Sequence, residues 1–225
     1  MYANFNYYSK IPKRNHLYEN ASIKVKEILN TGAFYTFGRD SFLRPINVFN
    51  VGKISKIMNT YEQDDLSKAI HQFYNYIETE MLLPQQIENY VAIISFIKTE
   101  NIDNERLESV MRFIGKDNPF VTTRRAIIFA YDLPVYLEDS FISHYNDRQK
   151  HTIVKIDPDN NSLWEIANKK QVEVKFGGNA MTLEKGFYWP PKCPDINFFL
   201  NNEDEKTKLI TEGQYLIKFE DAYKA

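Results

Sequence analysis

Two apolar runs of strand length, Tyr90–Ile97 (YVAIISFI) and Arg125–Tyr131 (RAIIFAY), with an amphipathic stretch between them, constrain this chain more than any other feature. Neither run alternates polar with apolar residues, so each reads as a strand buried on both faces, as in a parallel sheet. Between them, Asn104–Ile114 carries Leu107, Val110, Met111 and Ile114 at helical spacing, with Asp103 placed to cap the start and Gly115 to end it. After the second run, Leu133–Tyr145 is again helical, with Leu137, Phe141 and Tyr145 four apart, and Thr152–Ile156 supplies a third strand. This repeated alternation predicts an α/β fold: a mostly parallel sheet with right-handed crossovers, flanking helices, and Tyr90–Ile97 at its centre.

The flanking segments extend the pattern. Asn20 reads as the cap of a short helix bearing Val25, Ile28 and Leu29 that stops near Thr31-Gly32. A hairpin follows, with Ala33–Phe37, a turn over Gly38-Arg39-Asp40-Ser41, and Pro45–Val51, whose proline opens the strand where it is tolerated. Leu66, Ala69, Ile70, Phe73, Ile77 and Met81 form one apolar stripe of a helix ending before Pro84. Downstream, Ser162 caps a short helix over Leu163–Asn168, Asn201–Lys208 reads as a solvated loop or helix start, and Tyr215–Phe219 as a late edge strand. No repeat or low-complexity linker divides the chain, so residues 1–225 read as a single domain.

Composition narrows the function classes. A net charge of −2 with both signs interspersed offers no field to attract nucleic acid. The single cysteine, Cys193, excludes an intramolecular disulfide and fits a reducing compartment, so the expected location is intracellular, cytoplasmic or peripheral to an organelle membrane. Met1–Asn20 lacks the pattern of a secretory signal, and the longest apolar run, Ala126–Tyr131, is too short to span a bilayer. The aromatic share is 15%, with 16 Phe and 15 Tyr against 8 Gly. Such rings suit a wide apolar cavity; a codon bias toward Phe, Tyr, Asn, Lys and Ile accounts for them equally well.

The motifs of enzymes with an α/β sheet are missing. The chain has no G-x-S-x-G elbow, no G-x-G-x-x-G after a strand and no G-x-x-x-x-G-K-[ST] loop. His16, His71, His144 and His151 make no i, i+3 or i, i+4 pair for a metal. Cys193, stiffened by Pro190, Pro191 and Pro194, reads as structural. Asp132 follows a strand at the sheet edge where catalytic groups often sit, but reads first as a helix cap before Leu133-Pro134. Arg124-Arg125 beside Lys116 reads as a solvated strand entrance. The expectation is no catalysis, no metal and no cofactor other than a bound lipid.

Four segments in order resemble the CRAL-TRIO lipid-binding family, which includes phosphatidylinositol-transfer-like and retinaldehyde-binding-like proteins. They are Gly38-Arg39-Asp40 with Arg44-Pro45-Ile46-Asn47-Val48-Phe49 and Gly52-Lys53-Ile54; the strand Tyr90–Ile97; Arg125–Tyr131 running into Leu133–Ile142; and Val174-Lys175-Phe176-Gly177-Gly178. The resemblance covers about residues 20–178, leaving 179–225 as a C-terminal extension, and marks a divergent member. It implies a mobile gate helix over an apolar pocket, with Phe96, Phe129, Tyr131, Val135, Leu137, Phe141, Ile142, Tyr145 and Ile153 lining pocket and gate. Phe120, Gln149 and Thr152 stand where phosphatidylinositol-binding members carry a glutamate, a threonine and a lysine. They cannot make the same charge-assisted bonds to an inositol phosphate.

The resemblance therefore implies non-catalytic binding, and transfer between membranes, of a hydrophobic lipid, with a transient membrane surface as partner. The alternative is a CRAL-TRIO fold kept as a structural or adaptor subunit of a larger protein assembly, its headgroup site eroded. Nucleic acid is not an expected partner.

Overall fold

The structure is a computed structural model that describes residues 21–83, 85–115, 126–146, 153–156, 161–184, 188–189, 191 and 196–212. Phe120, Gln149 and Thr152, like Asn20, Cys193 and the strand expected at Tyr215–Phe219, lie outside the described residues.

Chain order begins with α1 (Ile23–Leu29), β1 (Phe34–Arg39), β2 (Pro45–Asn50), α2 (Val51–Thr60) and α3 (Gln63–Tyr76), which ends in a π-helical turn over Ile77–Met81. Then come β3 (Tyr90–Ser95), α4 (Asn104–Ile114), β4 (Ala126–Tyr131), a 3-10 turn over Val135–Leu137, α5 (Glu138–Asn146) and β5 (Ile153–Ile156). The chain continues through α6 (Asn161–Trp164), 3-10 turns at Lys169–Gln171 and Val174–Phe176, α7 (Ile196–Leu200) and α8 (Glu203–Glu212).

The five strands stand in sequence order, β1-β2-β3-β4-β5, with β1 antiparallel to β2 and the other pairs parallel. Three crossovers that step in the same direction with one hand must all run over the same face of the sheet. The core obeys this: Tyr90, Ala92 and Ile94 of β3 and Ala126, Ile128 and Ala130 of β4 pack in one cluster with Ile54, Phe73, Leu107 and Phe141 from the crossover helices. The alternate residues, Ile46 and Val48 of β2, Val91 and Ile93 of β3 and Phe129 of β4, form a second cluster on the opposite face. No crossover helix covers that face. Leu163, Ala167, Val172, Phe176, Leu183 and Tyr188 do so.

Several local signals act as read. Asp103 caps α4, its Oδ1 accepting from the Arg106 amide at 2.8 Å. Truncation in Asp103→Ala is expected to lower stability by about 1 kcal/mol, measured by urea denaturation. The cap of α1, by contrast, is Ser22, whose hydroxyl accepts from the Val25 amide. The 51–60 segment, read only as a strand exit, forms α2, capped by Asn50 and burying Val51, Ile54 and Ile57. Asn201–Lys208 lies largely within the helical segment α8.

The glycines and charged residues of the hairpin and the C-terminal segment do identifiable structural work. A side chain at Gly38 would place its Cβ 2.2 Å from the Gln171 carbonyl oxygen, and one at Gly178 would come within 1.9 Å of that of Val172. Asp40 closes the hairpin: its Oδ1 accepts from the Phe42 and Arg44 amides at 2.9 Å, and its Oδ2 from Arg44 Nε at 2.6 Å. Burial pushes the Asp40 carboxyl up, and Arg44 opposes that rise. Arg39 is buried and donates to the carbonyls of Leu43 (2.6 Å) and Met81 (3.0 Å), tying the hairpin to the π turn. Past Gly178, the stretch read as an extension contributes Leu183, Tyr188, Trp189 and Phe199 to the two clusters.

Candidate functional site

Beyond the carboxyl ends of β3, β4 and β5 lies a cavity of about 420 Å³, lined by Ile97, Ala130, Tyr131, Asp132, Leu133, Val135, Glu138 and Ile156. The parallel sheet accounts for the place, because the strands stop together and their connections leave a crevice outside the carboxyl edge. Two neighbouring connections leave that edge in left-handed backbone, Lys98 after β3 at φ 61° and Asp132 after β4 at φ 57°. Non-glycine residues adopt this region at some cost, aspartate more readily than most. The backbone bond from Phe96 N to Tyr131 O, 2.9 Å, stitches the two exits together. Asp132 therefore turns the chain: the cap of the following 3-10 helix is Pro134, with no side-chain cap bond, which corrects the helix-cap reading.

The predicted pocket residues separate into four groups. Tyr131 and Val135 line the cavity. Phe96, Leu137, Phe141 and Tyr145 are buried together in the helix-face core, with Phe96 and Phe141 edge to face at 5.8 Å and Phe141 and Tyr145 at 4.8 Å between ring centroids. Phe129 belongs to the opposite face, so no single pocket lies between Phe96, Phe129 and Phe141; that expectation is corrected by the alternation of β4. Ile142 and Ile153 are exposed, and with Val135 and Tyr136 they form apolar surface on α5, its lead-in and β5.

Helix α5 is held as a core element. Phe141 is fully buried, and His144 Nε2 sits 3.1 Å from the Met111 carbonyl oxygen near the end of α4. Tyr145 packs against Gly115, where a Cβ would lie 3.2 Å from its ring. Burial drives the Tyr145 phenol far up, with Tyr90 adding to the rise.

A second cluster of ionisable groups sits on the opposite face. Glu173, with its side chain fully buried, accepts from the Tyr35 hydroxyl, from Lys175 Nζ at 3.0 Å and from the Leu183 amide at 3.0 Å. Tyr35 also accepts from Lys175 at 2.7 Å, and its phenol is raised by burial and then by the Glu173 charge. Lys53, from the Gly52-Lys53-Ile54 segment, donates to the Thr31 carbonyl at 2.9 Å and lies 4.7 Å from the centre of the Tyr188 ring. Burial and then the neighbouring Lys175 charge lower its ammonium. These groups bond to one another and to neighbouring backbone, so they act as a polar clasp between β1, α2 and the C-terminal segment.

Glu78, on the π turn, is buried enough for its carboxyl to be pushed up from 4.5 to about 7. A folded-state pKa above the unfolded value contributes stability that is complete below about 4.5 and lost as pH rises to about 7. Glu78→Gln removes this dependence. Relative to the unaltered protein the variant is expected to gain on the order of 1 kcal/mol between pH 4.5 and pH 8, after allowance for solvent screening, in parallel urea titrations.

No family model matches this chain, and no curated protein does either. Among the described residues, no helix is long and apolar enough to cross a membrane, and no group of three or more His, Cys, Asp or Glu side chains is placed to hold a metal ion.

Most lining residues went unread in the sequence. Ile97 and Ile156 look like ordinary strand residues, and Leu133 and Glu138 like helix. The usable signal was positional: each sits at, or one or two residues past, the carboxyl end of a parallel strand, or on the connection that leaves it.

Proposed function

We propose that this protein is a divergent CRAL-TRIO-type module that binds a hydrophobic lipid without transforming it and exchanges it at membrane surfaces. The observation that carries this reading is the cavity of about 420 Å³ at the strand edge, with exposed Val135, Tyr136, Ile142 and Ile153 nearby on the surrounding elements. Its volume falls in the range of roughly 300–1,000 Å³ usual for small-ligand pockets. Ile97, Ala130, Leu133, Val135 and Ile156 offer an apolar wall on which each buried methylene gains about 0.8 kcal/mol. The exposed apolar side chains suit a surface that rests transiently on a membrane while the ligand passes the 132–137 connection. Within this reading α5 stays docked through Phe141, and the connection before it serves as the entrance.

Native mass spectrometry of the purified chain tests the proposal. A co-purifying lipid, lost on Val135→Asp, is the expected result. A ligand-free spectrum that stays so after incubation with mixed lipid vesicles overturns it.

One observation favours a second reading, an adaptor within a protein assembly. Among the described residues strand β5 is an edge of the sheet, pairing with β4 alone, and its Ile153 is 52% exposed. Such an edge is a template for pairing with another chain. Size-exclusion of a cell extract separates the two: a carrier elutes near its monomer mass of 26.6 kDa, a subunit well above it.

A further inference from the structure

We infer that the strand-edge cavity selects a single-chain amphiphile with a cationic ammonium head, and discriminates against carboxylate and phosphate heads. This rests on the lipid-binding reading and adds the ligand class. The charged side chains that line the cavity are Asp132 and Glu138, both acidic, and no lysine or arginine lines it among the described residues. Lys98 and Lys155 are sequence neighbours of the lining residues Ile97 and Ile156, but do not themselves contribute to the wall.

Asp132 is exposed and Glu138 half-buried, and both stand beside the apolar residues of the wall. An anionic head brought there meets two acidic side chains and, among the described lining residues, no lysine or arginine to offset them. An ammonium gains charge-assisted hydrogen bonds to carboxylate oxygens. The left-handed backbone of Asp132 fixes one acid at the turn. Glu138, as the first residue of α5, is held by a helix anchored through Phe141. The two acids thus stand on separate features, the turn after β4 and the start of α5. Size completes the assignment, because about 420 Å³ is near the small end of ligand pockets and suits one chain better than two.

The test uses three probes with one tail, dodecylammonium, dodecanol and dodecanoate, each kept below its micelle concentration. Their binding to the full chain at neutral pH is followed by calorimetry. Dodecylammonium is expected to bind about tenfold tighter than dodecanoate, with dodecanol between them. In the Asp132→Asn, Glu138→Gln double variant the gap is expected to shrink to about twofold, and a urea midpoint matching that of the unaltered protein shows that the variant is folded. Equal binding of all three probes, tighter binding of dodecanoate, or a gap that persists in the double variant overturns the inference and leaves lipid binding standing. Failure of all three to bind overturns both.

Discussion

Phe141→Ala is expected to destabilise the fold by about 3–5 kcal/mol, read as a drop in the urea midpoint without a change in slope. Phe141 is fully buried, packs edge to face on Phe96 at 5.8 Å, and stacks against Tyr145. Truncation removes the ring's contacts with both and leaves a cavity between α5 and the sheet that its neighbours can only partly fill. A cost below about 1 kcal/mol contradicts the docked position of α5 and favours a helix that detaches easily. The experiment therefore separates two ways of admitting a ligand. In one the whole of α5 swings; in the other only the 132–137 connection yields.

Glu173→Ala is expected to cost about 3 kcal/mol and to loosen the C-terminal segment before the rest. Two buried donors, the Tyr35 hydroxyl and the Leu183 amide, lose their acceptor, and each unsatisfied group costs roughly 1–3 kcal/mol. Lys175 also loses its carboxylate, but at 26% side-chain exposure it can recover part of its hydration. Hydrogen exchange localises the effect: amides around Val172–Phe176 and Leu183 should lose protection while those of β3 and β4 keep theirs. Uniform loss across the sheet contradicts a local clasp. Glu173→Gln, which keeps an acceptor for Tyr35 or Leu183 while removing the charge, is expected to lie between the two proteins.

Both variants probe places where the motif-bearing residues of the sequence turn out to hold the fold together. Gly38, Lys53 and Lys175 meet Gln171, Tyr188 and Tyr35 across the seam between the sheet and the segment that covers its second face, Gly178 packs within that segment, and Arg39 and Asp40 hold the hairpin and tie it to the π turn. Each has a structural reason to stand where it does: close backbone approach at two glycines, a buried arginine and a paired carboxylate. The lining of the cavity lies elsewhere, on the end of the Tyr90–Ile97 segment, the end of β4 and the connection after it, and Ile156 of β5.

The elements whose signals are local were legible without coordinates. Helix α4 begins and ends at Asn104 and Ile114 as read, because an aspartate cap, an apolar stripe and a terminal glycine all act within a few residues. The unbroken apolar runs likewise placed β3 at the centre of a mostly parallel sheet, since only burial on both faces tolerates them. Helix α2 escaped reading because it starts on the residue after β2, with Gly52 in its first turn and no break in the apolar pattern to announce it. The π turn at Ile77–Met81 keeps apolar residues near helical spacing and leaves no mark in that pattern.

What the amino-acid sequence determined by itself was the type and order of the central elements, through short-range capping and periodicity. Only the tertiary structure decided which face each strand residue occupies. A period of two assigns Phe129 and Ile128 to opposite sides but does not say which side the helices will cover; that follows from three crossovers of one hand stepping in one direction. For the same reason the cavity was invisible: its walls come from the ends of three strands that are distant in the chain and meet only when the sheet closes their spacing to that of hydrogen-bonded neighbours.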